Sequence, residues 1–181
     1  MRFRATLFLC LSLALLPAVD GSAQEQPPLE YQVKAAFLFN FAKFVEWPPA
    51  DFADAKSPIV IGILGDNPFG EDLAKTVRDK TVNNRPITIK KEFRSLADAT
   101  NCHILFISTS EKQRLPEIFK GLRGASVLTV GETDGFTEAG GMINFVAEGK
   151  KIRFQIKDAT AKGAGLKISS KLLSLASRPA R

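Results

Sequence analysis

The sequence predicts a mixed α/β fold: a three-layer, mostly parallel twisted sheet with helices on both faces and a C-terminal β-hairpin plus helix. Three observations predict it. Strand-like and helix-like runs alternate between residues 59 and 130. The runs at 59–65 and 104–107 are apolar throughout, as in strands that are covered on both faces. After Gly140-Gly141 the pattern changes to two closely spaced strand-like runs. Alternation of this kind indicates parallel strands joined by right-handed crossovers.

The first predicted element is a helix from Tyr31 to Trp47. Its polar members Gln32, Asn40 and Lys43 fall on one narrow stripe at helical spacing, and apolar residues occupy the other faces. A helix that is apolar on most faces is either deeply buried or half covered by an interface. Pro48-Pro49 ends it, because proline cannot continue a helix and disfavours helical geometry before it.

The next part of the chain contains the alternating elements. Strands are predicted at residues 59–65, 87–90, 103–108 and 126–130, and helices at 69–79 and 111–121. The strand at 87–90 contains Thr88 and Lys90 and is expected to be more exposed than the others. No internal repeat, low-complexity segment or linker divides this region, so we expect a single domain.

The C-terminal part begins with a predicted β-hairpin. The strand-like runs 142–147 and 151–156 are joined by Glu148-Gly149-Lys150, which is typical of a hairpin turn. Asp158 is then expected to cap a final helix that reaches about Leu175. Gly163 and Gly165 weaken the start of this helix.

The N-terminus has the three regions of a secretory signal peptide. Arg2 and Arg4 supply the basic region, residues 7–18 are apolar, and Gly21-Ser22-Ala23 provides a small-x-small cleavage pattern. The apolar run is shorter than the about 20 residues that a membrane-spanning helix needs. We therefore predict a signal peptide over residues 1–23 and a mature periplasmic domain over 24–181. A retained N-terminal helix acting as an anchor is the alternative.

Charge and composition argue against a nucleic-acid partner. The formal net charge is +6, but lysine and arginine are scattered among acidic residues without a block of like charge. Such a pattern is typical of a mixed-charge soluble surface rather than a basic nucleic-acid site.

Motifs for catalysis and metal binding are absent from the sequence. His103 is the single histidine, and it lies beside Cys102 in a predicted strand. Adjacent strand residues point to opposite faces, so these two cannot form a nucleophile–base pair. One histidine and one mature-chain cysteine are too few for a soft-metal site, and no acidic calcium loop occurs. The sequence therefore predicts no enzyme, no metal and no cofactor. A buried, inert Cys102 is favoured over a reactive or intermolecular thiol.

One candidate ligand site lies at the first strand–helix joint. Gly65, Asp66 and Phe69 follow the predicted strand 59–65, at the edge where such sheets bind ligands. A tight turn without a ligand explains the glycines equally well and is the favoured interpretation. These three residues are nevertheless the candidate ligand-binding residues.

Two apolar segments are candidate interaction surfaces, namely the first helix and the hairpin that follows Gly140-Gly141. Exposed apolar patches mark interaction sites, although the same residues could simply fill the core. The candidate partner-binding residues are Phe37, Phe41, Phe44, Trp47, Met142, Ile143, Phe145 and Arg153.

Six blocks in order along the chain resemble the YfiR-like family of bacterial periplasmic proteins. They are residues 33–48, 65–70, 102–107, 127–130, 140–145 and 165–173. The first and last blocks carry most of the resemblance. Two features depart from the family pattern: family members often carry disulfides whereas Cys102 has no partner, and Lys157 stands where asparagine is common.

The resemblance implies a regulatory role. YfiR-like proteins bind the periplasmic sensor region of an inner-membrane diguanylate cyclase and repress it, and an OmpA-like outer-membrane lipoprotein can sequester them. We therefore expect a periplasmic regulator that shifts the receptor's conformational population by differential binding. A small-molecule-binding sensor module acting on another membrane receptor is the alternative. The unpaired thiol and the apolar helix also make a homodimer an expectation.

Overall fold

A seven-stranded sheet lies at the centre of the computed structural model, which describes residues 28–91, 93 and 95–177. The strands are β1 (Val45–Glu46), β2 (Ile59–Leu64), β3 (Thr81–Val82), β4 (Arg85–Lys90), β5 (Ile104–Ile107), β6 (Leu128–Gly131), β7 (Ile143–Glu148), β8 (Lys151–Ile156) and β9 (Lys167–Ile168). The helices are α1 (Pro28–Phe44), α2 (Asp72–Val77), α3 (Leu115–Gly121), α4 (Asp158–Gly163) and α5 (Ser170–Leu175). The predicted signal peptide, residues 1–23, lies outside the described residues.

The large sheet has the order β3-β4-β2-β5-β6-β7-β8. The five strands from β4 to β7 are parallel, whereas β3 and β8 pair antiparallel at the two edges. The prediction of a mixed α/β fold with a mostly parallel sheet is confirmed. The strand that follows β2 in the parallel part of the sheet, β4, lies on one side of β2, whereas β5 lies on the other side. The carboxyl ends of β2 and β5 therefore flank the topological switch point, where sheets of this kind bind ligands.

Two hydrophobic clusters use alternate side chains of the strands. Phe106 of β5 belongs to the larger cluster, which also contains the buried face of α1. Its neighbours Leu105 and Ile107 belong to the smaller cluster, which contains the buried face of α3. This alternation follows from the two-residue period of a strand, which directs successive side chains to opposite faces.

Helix α1 ends earlier than predicted, at Phe44 rather than Trp47. The next two residues form β1, which pairs antiparallel with β9 through Val45–Ile168 and Glu46–Lys167. This pairing joins segments that are distant along the chain, so the local hydrophobic pattern contains no signal for it. Three 3-10 turns, Pro49–Asp51, Leu96–Asn101 and Thr109–Arg114, join other elements.

The predicted single helix from Asp158 to Leu175 is wrong. The chain instead forms α4, the short strand β9 and then α5. Gly165 has a φ of 78°, a left-handed conformation that glycine adopts without steric cost and that ends a helix. After α5, the backbone N–H of Ser177 donates to the carbonyl of Phe154, on the edge strand β8.

Candidate functional site

Most of the candidate partner-binding residues lie inside the protein. Phe41 and Ile143 are fully buried, and Phe145, Met142 and Trp47 are at most 9% exposed. The Phe41 ring stacks on Phe145 at a centroid distance of 5.9 Å. These five side chains fill the core, so in this conformation they are not available for direct contact with a partner.

The three remaining candidates are accessible at least in part. Phe37 and Phe44 are half-buried on α1, and Arg153 is exposed on β8. The Phe37 ring meets the edge of the Phe154 ring at 5.2 Å, so one side of Phe37 is held by the core. The structure therefore separates the predicted set into core residues and a smaller set that a partner could reach.

A groove lies between the N-terminal half of α1 and the β7–β8 hairpin, and we call it the docking groove. Its volume is about 540 Å³, and its lining residues are Leu29, Glu30, Val33, Ala147, Gly149, Lys150, Lys151, Ile152 and Arg153. The hairpin turn brings its basic residues to this position, because Glu148 pairs with Lys151 across the strands and Gly149 takes a left-handed φ of 61°.

The docking groove combines apolar and basic groups. Leu29 is 71% exposed, and the half-buried Val33 and Ile152 line the groove with it. Lys150 and Lys151 are exposed and make no ion pair with any described residue, whereas Arg153 lies 3.7 Å from Glu148. Sequence reasoning missed Leu29 and Val33, although their spacing of four residues places both on one face of α1.

The candidate ligand-binding residues lie at the switch point, but a turn of the chain occupies the space beside them. Gly65 has a φ of 86°, and a Cβ at this position would lie 2.4 Å from the hydroxyl of Ser110. The same hydroxyl accepts the backbone N–H of Asp66 at 3.0 Å. Phe69 is buried and packs against Tyr31 and Phe106. The structure thus brings Gly65 and Asp66 to the predicted edge, with Phe69 in the core.

A polar cavity of about 460 Å³ opens beside the neighbouring strand ends. Glu132 directly follows β6, Thr109 follows β5, and α1 contributes Tyr31 and Lys34. Lys34 is 4% exposed, and its ammonium contacts Glu30 and lies 2.6 Å from a Glu132 carboxylate oxygen. The Tyr31 hydroxyl donates to Glu132 at 3.3 Å. We call this the polar cavity.

The carboxylates set the protonation states in the polar cavity. Burial alone would lower the pKa of Lys34, but hydrogen bonds and charge from Glu132 and Glu30 outweigh it and raise the pKa above its ordinary value. Burial and the charge of Glu132 raise the pKa of Tyr31. At neutral pH the cavity therefore contains an ammonium and a phenol that both donate to Glu132.

Cys102 and His103 are both buried just before β5. Burial raises the pKa of the Cys102 thiol to about 11, so the thiol is not ionised at neutral pH. The Nδ1 atom of His103 accepts the backbone N–H of Val60 at 3.1 Å, and its ring stacks on Phe52 at 4.5 Å. Within residues 28–91, 93 and 95–177, no group of three or more histidine, cysteine or acidic residues could hold a metal ion.

Residues 31–177 match the domain family described as YfiR/HmsC-like. The chain belongs to the YfiR/HmsC-like family. The match includes all of α1 after its first three residues, the whole large sheet and both C-terminal helices. The family consists of periplasmic regulators of cyclic-di-GMP signalling, regulatory rather than catalytic, which generally bind the periplasmic sensor domain of a membrane diguanylate cyclase. No curated protein matches the chain. None of the described helices has both the length and the apolar character required to cross a membrane.

Proposed function

We propose that this protein is a periplasmic regulator that binds the periplasmic region of an inner-membrane diguanylate cyclase and holds cyclic-di-GMP synthesis down. Membership of the YfiR/HmsC-like family supports the class of partner. The observation that carries the proposal for this chain is the docking groove, in which the strongly exposed Leu29 lies beside Lys150 and Lys151, two lysines that make no ion pair with any described residue.

The groove has the chemistry of a protein-binding site. Covering Leu29, Val33 and Ile152 removes apolar surface from water, which drives association. Lys150, Lys151 and Arg153 form a basic rim that selects a partner with acidic side chains around an apolar contact. Repression follows if the groove binds the inactive conformation of the cyclase more tightly than the active one.

The first experiment compares cellular cyclic-di-GMP in the native strain, in a strain lacking the gene, and in the deletion strain expressing Leu29→Asp. We expect the deletion to raise cyclic-di-GMP and L29D to leave it raised, because a carboxylate in place of Leu29 removes apolar contact area and repels the acidic side chains of the partner. Leu29 is mostly exposed, so the fold should be retained, as checked by circular dichroism.

Gln113→Asp is the matched control, since it adds the same charge at an exposed position on the 3-10 turn before α3. This variant should restore repression. Calorimetry with the purified periplasmic region of the cyclase should show at least about a tenfold loss of affinity for L29D, which corresponds to about 1.4 kcal/mol. Full repression by a folded L29D protein would contradict the proposed docking groove.

The proposal also includes export and two further partners. Cleavage near Ala23 would give a mature protein that begins at Gln24, which N-terminal sequencing of the periplasmic protein tests. An OmpA-like outer-membrane lipoprotein that sequesters the regulator, and a homodimer, are further parts of the proposal. They rest on the resemblance of the sequence to YfiR-like proteins.

A small-molecule sensor is the second candidate function, and the polar cavity supports it. Glu30, Ala147 and Ile152 line both the polar cavity and the docking groove, so a ligand in one would alter the shape of the other. A thermal-shift screen tests this, because a ligand at 100 times its dissociation constant stabilises the protein by about 2.7 kcal/mol. A genuine ligand of the cavity should lose affinity in Asp134→Asn, which changes an exposed lining residue.

A further inference from the structure

The C-terminal end of α1 carries a second unusual surface, formed by three lysines over two aromatic rings. The Lys43 ammonium lies 5.6 Å from the centre of the Phe39 ring and 5.8 Å from that of Phe44. The Lys80 ammonium is 4.7 Å from the Phe39 ring, and that of Lys171 is 5.4 Å from the Phe44 ring. We call these five residues the lysine–phenylalanine surface. It joins α1, the segment after α2, and α5.

The three lysines that lie over these rings, Lys43, Lys80 and Lys171, have no acidic ion-pair partner among the described residues. Like charges gathered at one place repel one another, and attraction to the electron-rich ring faces offsets part of that cost. The surface therefore presents three exposed cations around two rings, with Lys43 near both of them, and these cations can bind negative charge.

We infer that the lysine–phenylalanine surface binds an acidic segment of another protein. The inference goes beyond the proposed function because the surface is separate from the docking groove. Leu29 and Phe44 are fifteen residues apart on α1, which is about 22 Å along a helix. The lysines are already held over the rings, so less side-chain freedom is lost when carboxylates bind them.

An acidic protein segment fits this surface better than an anionic membrane. A peripheral membrane site needs apolar side chains that project beyond its basic residues into the lipid. Here both phenylalanine rings are half-buried and the ammonium groups lie over them. Leu175 on α5 is a single exposed leucine, too little apolar surface for insertion into a bilayer.

The test uses a fluorescently labelled hexaglutamate peptide and the purified mature protein, with binding followed by fluorescence anisotropy. In the variant Lys43→Glu/Lys80→Glu/Lys171→Glu the affinity should fall at least tenfold. The control Lys56→Glu/Lys112→Glu/Lys120→Glu makes the same change of net charge at exposed lysines that contact no aromatic ring, and it should lose less than threefold. Affinity of the native protein should fall as salt is raised, because exposed charges are screened.

Several results would overturn the inference. They are failure of the native protein to bind the peptide, equal weakening in the two triple variants, and preferential binding to phosphatidylglycerol vesicles that displaces the peptide. A second triple variant with glutamine at the same three positions guards against a folding defect, and it should also bind at least fivefold more weakly. The peptide assay needs no cyclase, and the triple variants change residues that lie outside the docking groove. Failure here is therefore distinguishable from failure of the proposed docking groove.

Discussion

His103, which lies just before β5, is hydrogen-bonded to β2 through both its backbone and its side chain. Its backbone N–H donates to the carbonyl of Val60 at 2.9 Å, and its Nδ1 accepts the N–H of the same residue at 3.1 Å. The Trp47 indole N–H donates to the His103 carbonyl at 3.0 Å. The imidazole thus takes the place of a backbone acceptor at the start of β5, and it can do so only while Nδ1 carries no proton.

This arrangement predicts that stability falls in mild acid. Burial lowers the pKa of His103 below its ordinary value of 6.5, and the charges of Asp51 and Arg85 act on it in opposite directions. A depressed pKa in the folded state means that the stabilisation is fully present above pH 6.5 and is lost as the pH falls below it. His103→Asn retains an acceptor that does not titrate, so its urea midpoint should change less between about pH 7.5 and pH 5.

The test measures the urea midpoint of the native protein and of H103N at about pH 7.5 and pH 5, and it compares the change in midpoint between the two pH values. The variant need not equal the native protein in absolute stability, because only the slope against pH is compared. If the native midpoint were constant over this range, or if H103N kept the native slope, the proposed role of Nδ1 would be wrong.

The strand β6 and the loop before β7 form a narrow slot that holds the ring of Phe136. A Cβ on Gly131 would lie 2.4 Å from the Phe136 ring, and one on Gly141 would lie 2.1 Å from it. Phe136 is fully buried in the smaller hydrophobic cluster. The two glycines are therefore required because the ring lies directly against the backbone of both segments.

Gly131→Ala should therefore destabilise the protein by about 1–3 kcal/mol, the usual cost of overpacking a core. Gly163→Ala is the control, since nothing lies within 4 Å of its Cβ position, and alanine favours the helix that glycine weakens. Urea unfolding gives both values. Replacing the ring in Gly131→Ala/Phe136→Leu should recover part of the loss, and no loss in G131A itself would contradict the slot.

The sequence predicted elements well where burial is continuous along the chain. The strands around Ile61, Phe106 and Val130 lie within two residues of their predicted bounds, because apolar residues dominate each run. The strands β1 and β9 were missed because their two residues are extended only through pairing with each other. The final helix was predicted as one because the period of its leucines suggested a single apolar face.

The candidate site was less predictable, for a related reason. The burial of Lys34 depends on Glu132, which lies 98 residues away along the chain. A local sequence pattern cannot reveal a contact between residues so far apart. Phe41 and Leu29 are both apolar members of α1, yet one is fully buried and the other 71% exposed. The difference depends on where the hairpin lies against the helix, which is a property of the folded chain.

The two hydrophobic clusters share one sheet, so we expect the whole molecule to unfold as a unit. Trp47 is the single tryptophan, is 9% exposed and belongs to the larger cluster. Its fluorescence and the far-UV circular dichroism should change together in urea, with coincident midpoints. A fluorescence transition at clearly lower urea than the loss of circular dichroism would show that the region around α1 unfolds separately.

The pairing of β1 with β9 also constrains how the protein is made. Val45 is synthesised well before Ile168, so this small sheet cannot form until the chain has been extended as far as β9. Until then α1 lacks the C-terminal part of its covering, and a helix that is apolar on most faces is prone to aggregate in that state. The growing chain is therefore expected to depend on a chaperone until β9 can pair with β1.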